Sequence, residues 1–477
     1  MPPEPTVIPL GTSSIAPFRD LLEGPEWERF RRTMAEGAAR LEHRRIWNIN
    51  STANGGGVAE MLAWQIPYER GVRMEVGWLV IGGDSRFFAF TKRLHALLHG
   101  VSADGSEISA TERSCYEETS AANAKALDAN IRAGDLVIVH DPQPAGLIPH
   151  LVRRGCRVIW RCHIGVDAPN ALSKDAWRFL RPCIEPAAAF VFSRHAYAWE
   201  GLDAARIEII APAIDAFAPK NQDMPPATAS AVLGATGILQ TRPGSEPVFR
   251  ARDGSSHRVQ HATQLFPDSR LPAGVPLVVQ VSRWDRLKDP VGVMNSFASI
   301  ANPVVAGHLI LAGPGISSVA DDPEESAVFK EVEGGWQRLP ATARERIHLA
   351  RLPMGDPQEN AAIVNALQRQ AHVVVQKSLR EGFGLTVAEA MWKARPVVAT
   401  RVGGIQDQIE DGKSGVLVDD PEDLAGFADA VAKLLSDPAA ADRLGAAART
   451  RIRKQFLAPR LLMQHVELAR KVLDSTN

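Results

Sequence analysis

Residues 371–404 read Ala-His-Val-Val-Val-Gln-Lys-Ser-Leu-Arg-Glu-Gly-Phe-Gly-Leu-Thr-Val-Ala-Glu-Ala-Met-Trp-Lys-Ala-Arg-Pro-Val-Val-Ala-Thr-Arg-Val-Gly-Gly. The apolar, β-branched run from His372 to Val375 has the length of a buried strand. A polar loop carrying Glu381, Gly382, Phe383 and Gly384 follows, then good helix formers from Leu385 to Lys393, then a second buried strand after Pro396. The pattern predicts a strand–loop–helix–strand unit of a parallel α/β sheet, where sites collect beyond the carboxyl ends of the strands. The glycines let backbone amides approach a ligand, and the helix start aims its N–H groups at an anion. Glu381 lies in the loop and Glu389 about one turn into the helix, so two carboxylates flank a turn suited to phosphate. A glycine pair alone is a weak signal. The Glu-x7-Glu spacing around Gly-Phe-Gly-Leu-Thr makes it specific.

The same grammar extends in both directions. Before this stretch, strands are expected at residues 277–281, 308–312 and 347–351, and after it at 415–418, with helices between them. An earlier series has strands at 45–50, 72–81, 135–139, 156–160, 189–193 and 207–211. Two alternating series imply two doubly wound α/β domains. Residues 212–274 are rich in Pro, Gly, Ser, Asn and Gln; they read as a linker with an irregular segment and a short helix near 227–233. The expected division is therefore 1–215 (with an arm and helix over 1–43), a linker or insertion over 216–274, a second domain over 275–456, and a closing helix over 457–477 that packs back on the first domain.

Other loops at strand ends carry chemistry. Asn50-Ser-Thr-Ala-Asn-Gly55-Gly56-Gly57-Val-Ala-Glu60 joins a strand to a helix and serves either a ligand or a tight turn. It has neither the Gly-x-Gly-x-x-Gly of nicotinamide binders nor the Lys-Ser/Thr of nucleoside-triphosphate loops. His140-Asp141-Pro-Gln143-Pro and Arg161-Cys-His163-Ile-Gly end neighbouring strands, so His140, Asp141 and His163 are expected at one sheet edge, in a structural or a functional role. Ser282-Arg283-Trp-Asp285-Arg-Leu-Lys288-Asp289-Pro290 sets two cations before a helix. They suit a diphosphate, or else pair with Asp285 and Asp289 on the surface. Gly313-Pro-Gly315 borders a nucleobase pocket or makes a plain turn.

Composition closes off other classes. With 54 basic and 55 acidic residues the net charge is −1, so neither nucleic acid nor an anionic membrane is implied as a partner. Four cysteines without Cys-x-x-Cys spacing suggest free thiols in a reducing cytoplasm. No run approaches the roughly 20 apolar residues of a membrane helix, and the first residues do not read as a signal peptide. The run Arg449-Thr-Arg-Ile-Arg-Lys454 reads as a solvated helix face. There is no Asp-x-Asp triplet, so no metal site and no cofactor are expected. The residues fit transfer of a group from a nucleotide-activated donor.

On these motifs the chain resembles the retaining GT-B glycosyltransferases of family 4, and most closely the trehalose glycosyltransferring synthases. The likeness rests on the loop 50–60, on His140-Asp-Pro-Gln-Pro144, on Val281-Ser-Arg-x-Asp285 with Lys288-Asp-Pro290, and on Gln376-Lys-Ser-x-Arg-Glu-Gly-Phe-Gly-Leu-Thr-Val-x-Glu-Ala-Met-Trp392. It covers about residues 44–215 and 275–475; residues 216–274 depart from the pattern. The resemblance implies two Rossmann-like domains with the active site between them. It implies that Arg283 and Lys288 bind the diphosphate with amides of Gly384, Leu385 and Thr386 and of Gly56 and Gly57. Gly382 and Phe383 belong to the same donor loop. Glu389 would hold ribose hydroxyls, Glu381 and His163 would face the donor sugar, and Asp141, Gln143 and Glu60 would hold the acceptor. The substrates implied are ADP-, UDP- or GDP-glucose and free glucose, joined reversibly as α,α-trehalose by a cytoplasmic enzyme that related folds suggest is a homodimer. Other readings are the same donor chemistry on a cyclitol or amino sugar, a trehalose-type phosphorylase, and an inactive nucleotide-sugar-binding protein.

Overall fold

The computed structural model describes residues 4–54, 56–101, 106–240, 244–300, 307–315 and 323–474. The chain divides into two compact units, Met1–Ala213 with Ala458–Asn477, and Ile214–Leu457.

The first unit is built on seven strands: β1 (Thr6–Val7), β2 (Arg45–Asn50), β3 (Glu75–Val80), β4 (Leu136–His140), β5 (Arg157–Cys162), β6 (Ala189–Phe192) and β7 (Ile207–Ile209). Their order is β1-β3-β2-β4-β5-β6-β7, and every pairing is parallel except β1 on β3. Helices cover both faces, so even the interior of β4 is wholly buried. Trp47, Ile49, Leu79, Phe90, Val139 and Trp160 belong to a core on one face. The helix Ala458–Asp474 belongs to this unit: it packs on the helix Gly24–Arg40, and Arg460 donates to the carbonyls of Ala211 and Pro212 at 2.8 Å. A helix over Ala171–Ile184, which the sequence reading did not assign, starts at a reciprocal cap between Asn170 and Ser173.

The second unit has a short hairpin, β8 (Val248–Arg250) with β9 (Ser256–Arg258), and a second seven-stranded sheet. That sheet comprises β10 (Gln264–Phe266), β11 (Leu277–Val281), β12 (His308–Pro314), β13 (Ile347–Leu352), β14 (Val373–Gln376), β15 (Val397–Thr400) and β16 (Val416–Val418), in the order β10-β13-β12-β11-β14-β15-β16. The strand–loop–helix–strand unit of residues 371–404 is β14, the helix Leu385–Trp392 and β15.

Two expectations are corrected. Residues 216–274 are not a linker but part of the second unit. The helix Pro226–Ala235 packs on Pro357–Gln370, β10 extends the sheet antiparallel to β13, and Asn365 Nδ2 donates to the carbonyls of Pro219 and Gln222 at 3.0 and 2.9 Å. Glu359 fastens the loop before β10, accepting from the amides of Gln260 and His261 at 2.8 Å. Nor is the basic run 449–454 simply solvated. Arg451 donates to the carbonyls of Gln408 and Asp407 at 2.6 and 2.8 Å, and the Arg449 guanidinium lies over the Trp392 ring. Among the described residues no helix is long and apolar enough to cross a membrane.

Candidate active site

Each sheet reverses its winding once, between β2 and β4 in the first and between β11 and β14 in the second. Ligands of open α/β sheets bind in the crevice beyond the strand ends at this switch point. The motif loops follow these four strands, or the β5 next to β4.

In the second unit β11 runs into Arg283. Asp285 Oδ1 accepts from the Leu287 amide at 2.8 Å and closes a single 3-10 turn over Arg286–Lys288. Asp289 then turns left-handed, at φ 45°, and caps the next helix by accepting from the Gly292 amide at 2.9 Å. Its other oxygen pairs with Lys377, which is 0 % exposed. The Leu379 amide donates to the Leu287 carbonyl at 2.8 Å, so the loops after β11 and β14 are fastened together. This geometry brings the Lys288 ammonium onto the Glu381 carboxylate, which also accepts from Ser378 Oγ at 3.2 Å. The surface pairing of both cations with their neighbouring aspartates therefore holds for Arg283, 3.3 Å from Asp285, and not for Lys288. Glu389 is buried on the helix Leu385–Trp392, with Lys220 Nζ 3.5 Å away. The sequence reading missed Lys377 and Lys220; Lys220 lies in the segment taken for a linker.

The Gly382-Phe383-Gly384 loop is held from behind. Gly384 enters the helix at φ 83°, a conformation that costs other residues about 1–2 kcal/mol. The Gly404 amide donates to the Gly382 carbonyl at 3.0 Å, and Gln408 Nε2 to the Phe383 carbonyl at 2.5 Å. Arg451 in turn holds Gln408. Thr386 Oγ1 donates to Gln376 Oε1 at 3.1 Å, tying the helix start to β14. A Cβ at Gly404 would sit 2.8 Å from Phe383 Cα and 3.0 Å from the Gly382 carbonyl oxygen, with backbone on both sides. Gly404→Ala should therefore push the Gly382-Phe383-Gly384 loop away. We expect a loss of about 1–3 kcal/mol in thermal unfolding and a raised donor KM.

In the first unit Asn50 ends β2, its Nδ2 donating to the Thr52 carbonyl and its Oδ1 accepting from Trp78 Nε1, both at 2.7 Å. Gly56 (φ 81°) and Gly57 start the helix Gly57–Gly71 and are exposed; Gly55 lies outside the described residues. Nothing lies within 4 Å of a Cβ built on Gly56, so the loop presents open backbone. Glu60 sits half-buried in the first turn, and Gln143 half-buried after β4. His140, Asp141 and His163 do meet. His140 Nδ1 is 3.0 Å from His163 Nε2, and Asp141 Oδ1 accepts from the His163 amide at 2.7 Å. Asp141 sits at φ 65°, turning its carboxylate back onto that amide. Burial pushes its pKa up to about 7, against the pull of the His163 amide and Arg161.

Beneath lies a buried polar group that the sequence reading did not find. Arg161, 2 % exposed, contacts the His465 ring; His465 Nδ1 is 2.6 Å from Gln65 Nε2, which donates to Glu69 Oε1 at 2.8 Å. Burial drives His465 well down, Arg161 down to about 9 and Glu69 up to about 7. The folded Glu69 thus holds a proton that the unfolded chain releases near 4.5, so its contribution is complete below 4.5 and lost as pH rises through 7. Glu69→Gln, which cannot ionise, should gain on the parent between pH 5 and pH 8, by up to about 3 kcal/mol in denaturant unfolding.

Known proteins match along the chain. Residues 48–199 match the family "Trehalose synthase, N-terminal domain", and residues 262–451 match "Glycosyl transferases group 1". A trehalose synthase of Rubrobacter xylanophilus is 36% identical over 92% of this chain and 93% of its own. One of Pyrococcus horikoshii is 32% identical over 92% of both. Among solved structures, a sucrose-phosphate synthase of Thermosynechococcus elongatus superposes with a TM-score of 0.63 at 18% identity, over 91% of this chain and all of its own, a likeness of fold. The strand order, the loops gathered at both switch points and these matches agree: the chain belongs to the trehalose synthase family of GT-B glycosyltransferases.

Proposed function

We propose that the protein transfers glucose from a nucleoside diphosphate glucose to free glucose, forming α,α-trehalose reversibly with the anomeric configuration kept. The observation that carries this is the meeting of Lys288 and Glu381 beside the glycine-opened start of the helix Leu385–Trp392, at the switch point of the second sheet. A cation and free helical N–H groups suit a departing diphosphate. Arg283 adds a second, exposed cation. On this reading Glu381 faces the donor sugar, Glu389 the ribose hydroxyls, and the half-site of the first unit holds hexoses: His163 the donor sugar, Asp141, Gln143 and Glu60 the acceptor.

In the reaction the acceptor oxygen bonds to the anomeric carbon as the bond from that carbon to the diphosphate oxygen breaks. The leaving diphosphate takes the acceptor's hydroxyl proton. Catalysis then lies in orientation and in stabilising charge on the leaving group, and Arg283 and Lys288 supply that charge without a metal. Trehalose synthases among the relatives favour this product. Running the reaction backwards tests the donor. Trehalose incubated with ADP, UDP or GDP should yield the matching nucleoside diphosphate glucose and glucose. Consumption that requires inorganic phosphate and no nucleotide would replace the reading with a phosphorylase.

A further inference from the structure

A polar chain crosses the first sheet from its interior to the half-site. Asn48 on β2 and His140 on β4 are both 0 % exposed, on adjacent strands. His140 Nε2 lies 3.0 Å from Asn48 Oδ1, and His140 Nδ1 lies 3.0 Å from His163 Nε2. The two imidazoles are stacked at 16° with centroids 5.3 Å apart. Each contact commits one ring nitrogen and therefore one proton position. An amide oxygen only accepts, so His140 must carry its hydrogen on Nε2 and its lone pair on Nδ1. His163 must then carry its hydrogen on Nε2, and its Nδ1 keeps the lone pair. The His163 backbone is pinned as well, its amide donating to Asp141 Oδ1 at 2.7 Å. The half-buried His163 ring has one nitrogen left for a ligand, and that nitrogen accepts.

Burial and the Arg161 guanidinium hold both histidines well below their usual pKa, so neither ring gains a second proton that would break the sequence of donors and acceptors. Asn48 meets no need of its own strand: its Nδ2 is buried without a hydrogen-bond partner. A leucine of similar size would leave no such orphan. Turning the amide over would reverse every donor in the chain and present an N–H from His163 instead. The amide thus sets what His163 offers.

We propose that Asn48 and His140 are positioning residues that hold His163 as its neutral Nε2–H tautomer, so that Nδ1 accepts a hydrogen bond from a hydroxyl of the transferred sugar. The sugar contact rests on the reading of His163 given above; the tautomer does not.

The full-length protein labelled with 15N-histidine tests this through long-range 1H–15N correlation spectra, with the His163 signals assigned by their loss in His163→Gln. The expected spectrum has a pyridine-like Nδ1 and a pyrrole-like Nε2 at His163. Asn48→Leu should shift both toward a mixture of tautomers and lower kcat/KM for the donor about tenfold, leaving the KM for glucose unchanged. Asn48→Asp, an acceptor when ionised, should restore the tautomer and most of the turnover. A pyrrole-like Nδ1 or an imidazolium at His163 overturns the proposal, as does an Asn48→Leu protein with unchanged spectrum and turnover. The parent spectrum decides the tautomer even if a variant fails to fold. Unchanged turnover in His163→Gln beside the expected spectrum would instead remove the sugar contact.

Discussion

Lys288→Ala is expected to lower kcat by about 10²- to 10³-fold, the usual loss when one donor to a developing anionic charge is removed. Lys288 Nζ is the cation set on Glu381 at the switch point, on a turn shaped by Asp285 and Asp289. On the proposed reading it would carry charge for a leaving diphosphate and hold the carboxylate set to face the donor sugar. Lys288→Arg keeps the charge and should retain more activity than alanine, though not all, because a planar fork does not reproduce a point charge. Nucleoside diphosphate release at saturating donor and acceptor reads the effect. The melting temperature should fall less than when a fully buried pair is broken, since the Glu381 left behind is 10% exposed and still accepts from Ser378 Oγ.

The second large effect is on stability. Asp289→Ala removes the helix cap on Gly292 and leaves the fully buried Lys377 without the carboxylate that pairs with it. Breaking one side of a buried pair costs about 3–5 kcal/mol, and a lost cap adds about 1 kcal/mol. For a unit of this size that lowers the melting temperature by roughly 10 °C or more, measurable by calorimetry. Asp289→Ala combined with Lys377→Met should recover much of the loss, because no charge is then left unpaired. Activity should fall with the single substitution, as the same turn aims Lys288.

These two effects trace back to a stretch legible in the sequence. The apolar run before Lys377, the Gly-Phe-Gly loop and the helix formers after it fix β14, the loop and the helix Leu385–Trp392 by local pattern. The parallel order followed from strands alternating with helices. Within residues 214–274 only the short helix near 227–233 was legible in this way, and it is the helix Pro226–Ala235. The strands β8, β9 and β10 have three residues each, too short to show a period, and Pro, Gly and Ser mask the contacts that tie this segment to Asn365 and Glu359.

The polar residues beneath the first half-site were hidden for another reason. In Arg45-Ile-Trp-Asn-Ile-Asn50, Asn48 looks like the solvent side of an alternating strand, yet helices cover both faces and Asn48 is wholly buried. A parallel sheet is covered on both sides, so a polar residue inside one of its strands already signals a buried partner. Gln65 and Glu69 sit one turn apart on a single helix, but His465 comes from a helix 400 residues further on, and no local pattern joins it to them. Lys377 follows a buried strand and reads as the first exposed residue; only the turn at Asp289 shows why it is not.

The most direct test is synthesis from labelled donor. Purified protein is incubated with ADP-, UDP- or GDP-glucose carrying 13C at the anomeric carbon, together with unlabelled glucose, and the products are read by NMR. The expected product is α,α-trehalose labelled in one ring, with the α configuration of the donor kept and one nucleoside diphosphate released for each disaccharide. No disaccharide with any of the three donors, or a β linkage from the labelled carbon, would contradict the proposed function.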